Sequence, residues 1–301
     1  MKRYSIKDIE KLTGIKAHTL RIWEQRYNFL TPHRTDTNIR FYDDEQLKKL
    51  LNVSLLVSRG HKISKICKLS DYELNLKIKE IYETSDQEIG EQTIPFKINS
   101  LIVSMLDLNE NKFNQIIATS LMKRGMAQTI SMVLFPFMQR LQIMWRTGEI
   151  TTAQEHFIMN LIRQKLMVAI DSIPIAPNNA EKFILFLPEN TMNDIDILFY
   201  AYFLKLNGKQ MLNLGKDINL YDLKSIQDIA KPNIFMTYVE EPTCCIEVQN
   251  NILPIAESFP NQEIWLIGNL DILQSLKLPE NIKLISNLES LQGMVKPQQV
   301  F

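Results

Sequence analysis

From Ser5 onward, apolar residues fall at Ile6, Ile9 and Leu12, the spacing of one helical face. Ser5 is suited to cap that helix, with Asp8 in the capping-box position three residues on. Thr13-Gly14 breaks the run. A second helical pattern begins near Lys16 and reaches about Tyr27, with Leu20, Trp23 and Tyr27 on its apolar side. Lys16, His18, Thr19, Arg21 and Arg26 lie on the opposite face. The segments 29–32 and 39–42 predict two short strands around a polar loop at 34–38, which makes a hairpin wing. Asp43, with Gln46 three residues later, caps a further helix lined by Leu47, Leu50 and Leu51. That helix ends at Arg59-Gly60, glycine being a common stop signal. Two short helices joined by a glycine-containing turn make a helix-turn-helix, whose second helix is built to enter a major groove.

The pattern changes after residue 71. Residues 72–83 predict a short helix, and the polar stretch from Glu83 to Pro95 reads as a linker. No sustained heptad follows, so dimerisation must use a surface other than a coiled coil. From Phe96 the periodicity is helical, with helices expected at 97–107, 110–124, 126–146 and 151–172. Their junctions are short (Asn109-Glu110, Arg124-Gly125, Thr147-Gly148-Glu149), which implies an antiparallel four-helix bundle. Methionine is frequent in it, either as core filler or as an adaptable ligand surface.

The last third alternates. Phe183-Ile184-Leu185-Phe186-Leu187 is a continuous apolar run, as a parallel strand buried on both faces requires. Strands are expected there and near 210–214, 234–238, 263–267 and 282–285, with helices near 193–206, 220–229 and 241–258. Five strands alternating with helices predict a doubly wound parallel α/β domain. The expected organisation is thus multidomain, α and α/β: a winged helix-turn-helix at 1–75, a linker at 76–95, a four-helix bundle at 96–175 and a Rossmann-like domain at 181–301.

Charge sharpens this division. The 301-residue chain has zero formal net charge, but residues 1–75 carry 15 lysines and arginines against nine acids, a net of +6. The remainder carries the balancing −6. A basic head on an acidic body suits a modular DNA binder. Cys67, Cys244 and Cys245 form neither a metal-ligand spacing nor a disulfide framework, as expected in a reducing cytoplasm. The first residues lack the apolar core of a signal peptide, and no apolar run reaches the roughly 18 residues of a membrane span. A cytoplasmic protein with no membrane partner is expected.

The candidate nucleic-acid contacts follow from position. Lys16, His18, Thr19, Arg21 and Arg26 occupy the free face of the second helix, where arginine can read guanine edges and threonine a thymine methyl or phosphate. Arg34, Arg40 and Tyr42 lie on the wing, near phosphates. Leu20, Trp23 and Phe41 suit core positions, and Glu24 suits pairing with a nearby arginine.

The string Thr19-Leu20-Arg21-Ile22-Trp23-Glu24, then Leu30-Thr31-Pro32 and Arg40-Phe41-Tyr42-Asp43, resembles the DNA-binding domain of the MerR family. The resemblance covers about a quarter of the chain. It implies a transcriptional regulator acting on double-stranded DNA as a homodimer or higher homo-oligomer, with RNA polymerase as a further partner.

Trp145-Arg146-Thr147-Gly148-Glu149-Ile150, followed by Ala153-Gln154-Glu155-His156, resembles the helical cap of light-responsive, cobalamin-binding MerR-type repressors. By that resemblance Trp145, Glu155 and His156 line one face toward the next domain. The alternative is that they only cap and pack the bundle. In the same regulators an Asp/Glu-x-His-x-x-Gly motif follows the first strand of the α/β domain, and its histidine holds cobalt. Aligned backwards from Leu206-Asn207-Gly208, that histidine falls on Asn193 and the glycine on Asp196, and no histidine follows His156. The later family elements are reduced to Thr237-Tyr238-Val239 and Gly268-Asn269. An amide is a poor cobalt donor beside imidazole. The expectation is therefore no catalytic residue, no metal and no cofactor held in the usual manner. Cobalamin or another small molecule remains the alternative, followed by a cobalamin-dependent methyltransfer module or a scaffold that reads another protein.

Overall fold

A computed structural model describes residues 3–35, 37–85, 94–146, 148–189, 191, 194–239, 245–268 and 277–295. The chain divides into two compact units, Met1–Ile158 and Met159–Phe301.

The first unit opens with β1 (Tyr4–Ser5), α1 (Ile6–Thr13) and α2 (Ala17–Tyr27). Ser5 and Asp8 form the expected reciprocal capping box, and Gly14 ends α1 in the left-handed region at φ 73°. The wing follows as β2 (His33–Arg34) and β3 (Arg40–Tyr42), then α3 (Asp44–Ser58), capped reciprocally by Asp43 and Gln46. Two features differ from the sequence expectation. The first wing strand is His33–Arg34, not 29–32: Pro32 has no N–H to give a ladder, and Leu30 is buried instead. In addition, β1 was not anticipated. It completes an antiparallel sheet in the order β1-β3-β2, with Tyr4 opposite Tyr42 and His33 opposite Phe41.

After α4 (Ile63–Ile66) comes α5 (Asp71–Ser85), the short helix expected at 72–83, which occupies the first part of the 76–95 stretch. Then come α6 (Ile94–Leu106) and α7 (Glu110–Thr129). The boundary expected at Arg124-Gly125 survives as a break inside α7, where Gly125 takes φ 72° and ψ 176°. The helix expected at 126–146 is not continuous. A π-helical turn at Ile130–Leu134 precedes α8 (Phe135–Arg146). Pro136 supplies a reason: it cannot donate to the carbonyl four residues back and its ring crowds that carbonyl, so the turn before it widens. The helix α9 (Thr152–Asp171) begins in the first unit and runs into the second. Thr151 and Gln154 cap its start, each side chain bonding the other's backbone N–H at 3.0–3.2 Å.

The second unit is the expected doubly wound domain. Its strands are β4 (Lys182–Phe186), β5 (Gln210–Asn213), β6 (Ile234–Tyr238), β7 (Glu263–Ile267) and β8 (Ile282–Ile285). Among the described residues they form one parallel sheet in the order β5-β4-β6-β7-β8. Helices α10 (Ile195–Leu206), α11 (Leu220–Ala230), α12 (Cys245–Ser258) and α13 (Leu288–Met294) connect or follow them. From Ile195 to Leu204 every residue of α10 is buried, as a helix apolar on all sides must be. Phe186, Phe235 and Phe259 anchor a core under the sheet, the last two with ring centroids 4.7 Å apart. The order reverses between β4 and β6. In open α/β sheets that switch point, at the carboxyl ends of the strands, is where ligands bind.

Candidate nucleic-acid interface and switch-point site

Helix α2 presents the reading face. Leu20 and Trp23 anchor it in the core, which turns Lys16, His18, Arg21 and Arg26 to solvent. Glu10 fixes its start: one carboxylate oxygen accepts from the Ala17 N–H at 3.0 Å, and the other pairs with Lys16 Nζ at 3.0 Å. Both contacts hold the Glu10 carboxyl below its ordinary range, the Ala17 N–H most of all. His18 Nε2 lies 3.3 Å from the Thr19 hydroxyl. Arg26 packs over the Tyr27 ring at 5.6 Å. Ile22 is half exposed on this helix, an apolar side chain on a basic surface.

The wing adds further cations. Arg34 is exposed near its tip and donates to Asn38 Oδ1 at 2.7 Å, which stiffens the loop. Arg3, not anticipated from the sequence, stacks over Phe41 at 4.7 Å. Arg40 is half-buried and ion-paired to Glu24 at 3.5 Å, so its charge is partly engaged inside the domain. Glu24 itself is buried and also accepts from the Tyr42 hydroxyl.

This corrects the phosphate contact expected of Tyr42. Its ring is fully buried, and burial followed by Glu24 pushes its phenol well above the ordinary value. Tyr42 fastens β3 to α2 instead. Sequence periodicity could not reveal this, because position 42 alternates correctly for either role. Lys16 precedes α2, His18, Thr19, Arg21 and Arg26 lie on it, and Arg34 lies on the wing.

The cap-like residues lie farther along the same unit. Trp145 sits in the last turn of α8, 38% exposed. Glu155 is half-buried and His156 exposed, both in the first turn and a half of α9. The connection is a few residues long, so all three lie at one end of the helical layer. The side chain of Glu149, in that connection, is buried at 4% exposure, which the sequence did not single out.

At the switch point of the second unit, Thr237 is fully buried, one residue before the end of β6. Its hydroxyl makes no hydrogen bond among the described residues. Asp196 is buried in the first turn of α10. Asp194 precedes that helix and pairs with Arg163 at 2.5 Å. Asn193, Gly268's neighbour Asn269 and the segment 240–244 lie outside the described residues. No cluster of three or more histidine, cysteine, aspartate or glutamate side chains stands ready for a metal among the described residues. The orphaned Thr237 hydroxyl fits a polar ligand group. The donor set does not fit a cobalt held from the protein side, since the sequence has no histidine after His156.

Residues 4–73 match the model of the MerR HTH family regulatory protein, and residues 98–169 match that of the B12 binding domain. The chain carries a MerR helix-turn-helix domain and a B12 binding domain. It is homologous over most of its length to two repressors of Myxococcus xanthus. The first, HTH-type transcriptional repressor CarH, is 22% identical over 88% of this chain and 88% of its own length. The second, HTH-type transcriptional repressor CarA, is 24% identical over 76% of this chain and 74% of its own. The monomethylamine corrinoid protein of Methanosarcina barkeri has a similar fold, with a TM-score of 0.51 at 14% identity over 64% of this chain and 93% of its own. The MerR match covers β1 through the start of α5, and the B12-domain match runs from within α6 through nearly all of α9. The exposed basic face thus belongs to the MerR domain, and Trp145, Glu155 and His156 to the B12 binding domain. No described helix is long and apolar enough to cross a membrane.

Proposed function

We propose that this chain is a sequence-specific regulator of transcription that binds double-stranded DNA as a homo-oligomer and does not hold cobalamin through a protein histidine. The observation that carries the first part is the exposed face of α2. Lys16, His18, Arg21 and Arg26 are exposed and Thr19 half-exposed at the start and along the free side of a helix whose other side is locked by Leu20 and Trp23, and Arg34 is exposed on the wing. Basic side chains supply phosphate affinity, and arginines at the groove floor supply base discrimination. Symmetric oligomers favour palindromic sites. Arg40 serves the interface in part through its Glu24 pair, which ties the wing to α2.

The second part rests on the donor set at the switch point. A reading in which the α/β unit senses a small polar molecule is favoured by the orphaned Thr237 hydroxyl. Catalysis is not proposed. The experiment is selection of duplexes from a random library by the full chain, then anisotropy titration of the enriched site at several salt concentrations. Enrichment of a palindrome with steep salt dependence supports the proposal. Absence of any enriched sequence contradicts it.

A further inference from the structure

We propose that Tyr4 and Arg140 form a two-point clasp through which the turn after Trp145 positions the wing and the reading helix, so that DNA affinity depends on residues that never touch DNA. The proposal rests on the DNA-binding reading above.

The first point is the Tyr4 hydroxyl. Its ring is buried in the wing sheet, and its single proton serves two acceptors, Asp44 Oδ1 at 2.5 Å and the Glu149 main-chain carbonyl at 2.7 Å. Asp44 opens α3, while Glu149 lies in the turn that closes α8. That turn is itself fixed: the Gly148 N–H donates to the Trp145 carbonyl at 2.9 Å and the Glu149 N–H to the Met144 carbonyl at 2.7 Å. A displacement of the Trp145 turn therefore moves the Glu149 carbonyl.

The second point is Arg140, on α8. Its Nη2 donates to the Lys11 carbonyl at 3.2 Å, one of the last carbonyls of α1. Such carbonyls have no partner within their own helix, and a cation there also suits the helix dipole. Burial lowers the Arg140 pKa, opposed by the Glu149 charge. Arg140 is half-buried, and its guanidinium ties α8 to the end of α1.

From Tyr4 the path continues by backbone pairing. Tyr4 faces Tyr42 across the β1–β3 ladder, and the Tyr42 hydroxyl donates to Glu24 on α2. Each link joins two elements already packed, so small shifts pass along it. Tyr4 and Arg140 are accordingly positioning residues.

The test uses the full chain and a duplex enriched by the wild type. Tyr4→Phe, Arg140→Ala, Arg140→Lys and Trp145→Ala are titrated with DNA, and amide hydrogen exchange is followed without DNA. Expected are a three- to tenfold loss of affinity for Tyr4→Phe and Arg140→Ala, with partial rescue by Arg140→Lys. Tyr4→Phe also speeds exchange in the turn at 148–151, and Arg140→Ala speeds it in the last turn of α1. Trp145→Ala weakens DNA binding in the wild type but not in the Tyr4→Phe background. Affinities unchanged within twofold, or raised, overturn the proposal, as do exchange effects confined to the substituted side. If Tyr4→Phe does not fold, the Arg140 pair decides by the same criteria. A wild type that binds no duplex refutes the DNA-binding reading instead, and the exchange measurements then judge the clasp alone.

Discussion

The MerR head and the α/β unit are both well-formed versions of common scaffolds, yet they differ in what stands on them. In the head, capping residues, core anchors and exposed cations agree: Ser5, Asp43, Leu20 and Trp23 fix the elements, and Arg21, Arg26 and Arg34 remain exposed. In the α/β unit the strands, crossovers and core are equally complete. The residue that resemblance assigns to cobalt, however, is Asn193, and the helix beside the switch point opens with Asp194 and Asp196. A parallel sheet needs only apolar strands and crossover helices, whereas a bound cofactor needs particular donors. A scaffold can therefore be complete without specifying which ligand it carries.

That contrast can be attacked from several sides. The largest effect is expected for Phe235→Ala. Truncating a fully buried aromatic that packs on Phe186 and Phe259 costs about 3–5 kcal/mol. Chemical denaturation should show the loss, while DNA affinity of the folded protein stays within twofold. A parallel collapse of DNA affinity at low denaturant would join the two regions functionally. Next is Glu24→Ala, which leaves the Tyr42 hydroxyl buried without its acceptor at a cost of about 1–3 kcal/mol. Melting of the head and weaker DNA binding should follow together. Arg21→Ala should leave folding intact and weaken binding to the selected site by about 1–3 kcal/mol, with relaxed preference at one base pair. Equal affinity would remove Arg21 from base readout. Lys16→Gln breaks only a largely exposed pair with Glu10, whose stability contribution is at most about 1 kcal/mol. Its signature is instead a salt-dependence slope shallower by about one. The smallest effect is expected for Asn193→His, which should not create tight cobalamin binding. A red, stoichiometric complex of that variant would show that the rest of the groove is still competent.

Much of the fold is written in local signals. The capping boxes at Ser5 and Asp43, the glycine stops at Gly14 and Gly60, and the apolar strands of the α/β unit can each be recognised within a few residues. Strand β1 could not be read this way. Two residues carry no period, and their conformation is set by Tyr42 and Phe41 across the ladder, some 40 positions away. The π-helical turn before Pro136 was legible in principle, because proline in a helix demands a local adjustment. The basic face of α2 was legible because periodicity alone separates Leu20 and Trp23 from Arg21 and His18. Tyr42, Glu149 and Arg140 were not, since their roles depend on partners brought from distant segments: Glu24, Tyr4 and Lys11.

The central claim, DNA chemistry kept and histidine-held cobalt chemistry absent, meets its most direct test in one experiment. The full chain is mixed in the dark with its selected duplex and with adenosyl- or methylcobalamin, then passed over gel filtration while the visible spectrum is recorded. The account predicts a protein–DNA peak without cobalamin absorbance. A stoichiometric cobalamin spectrum travelling with the protein would contradict it.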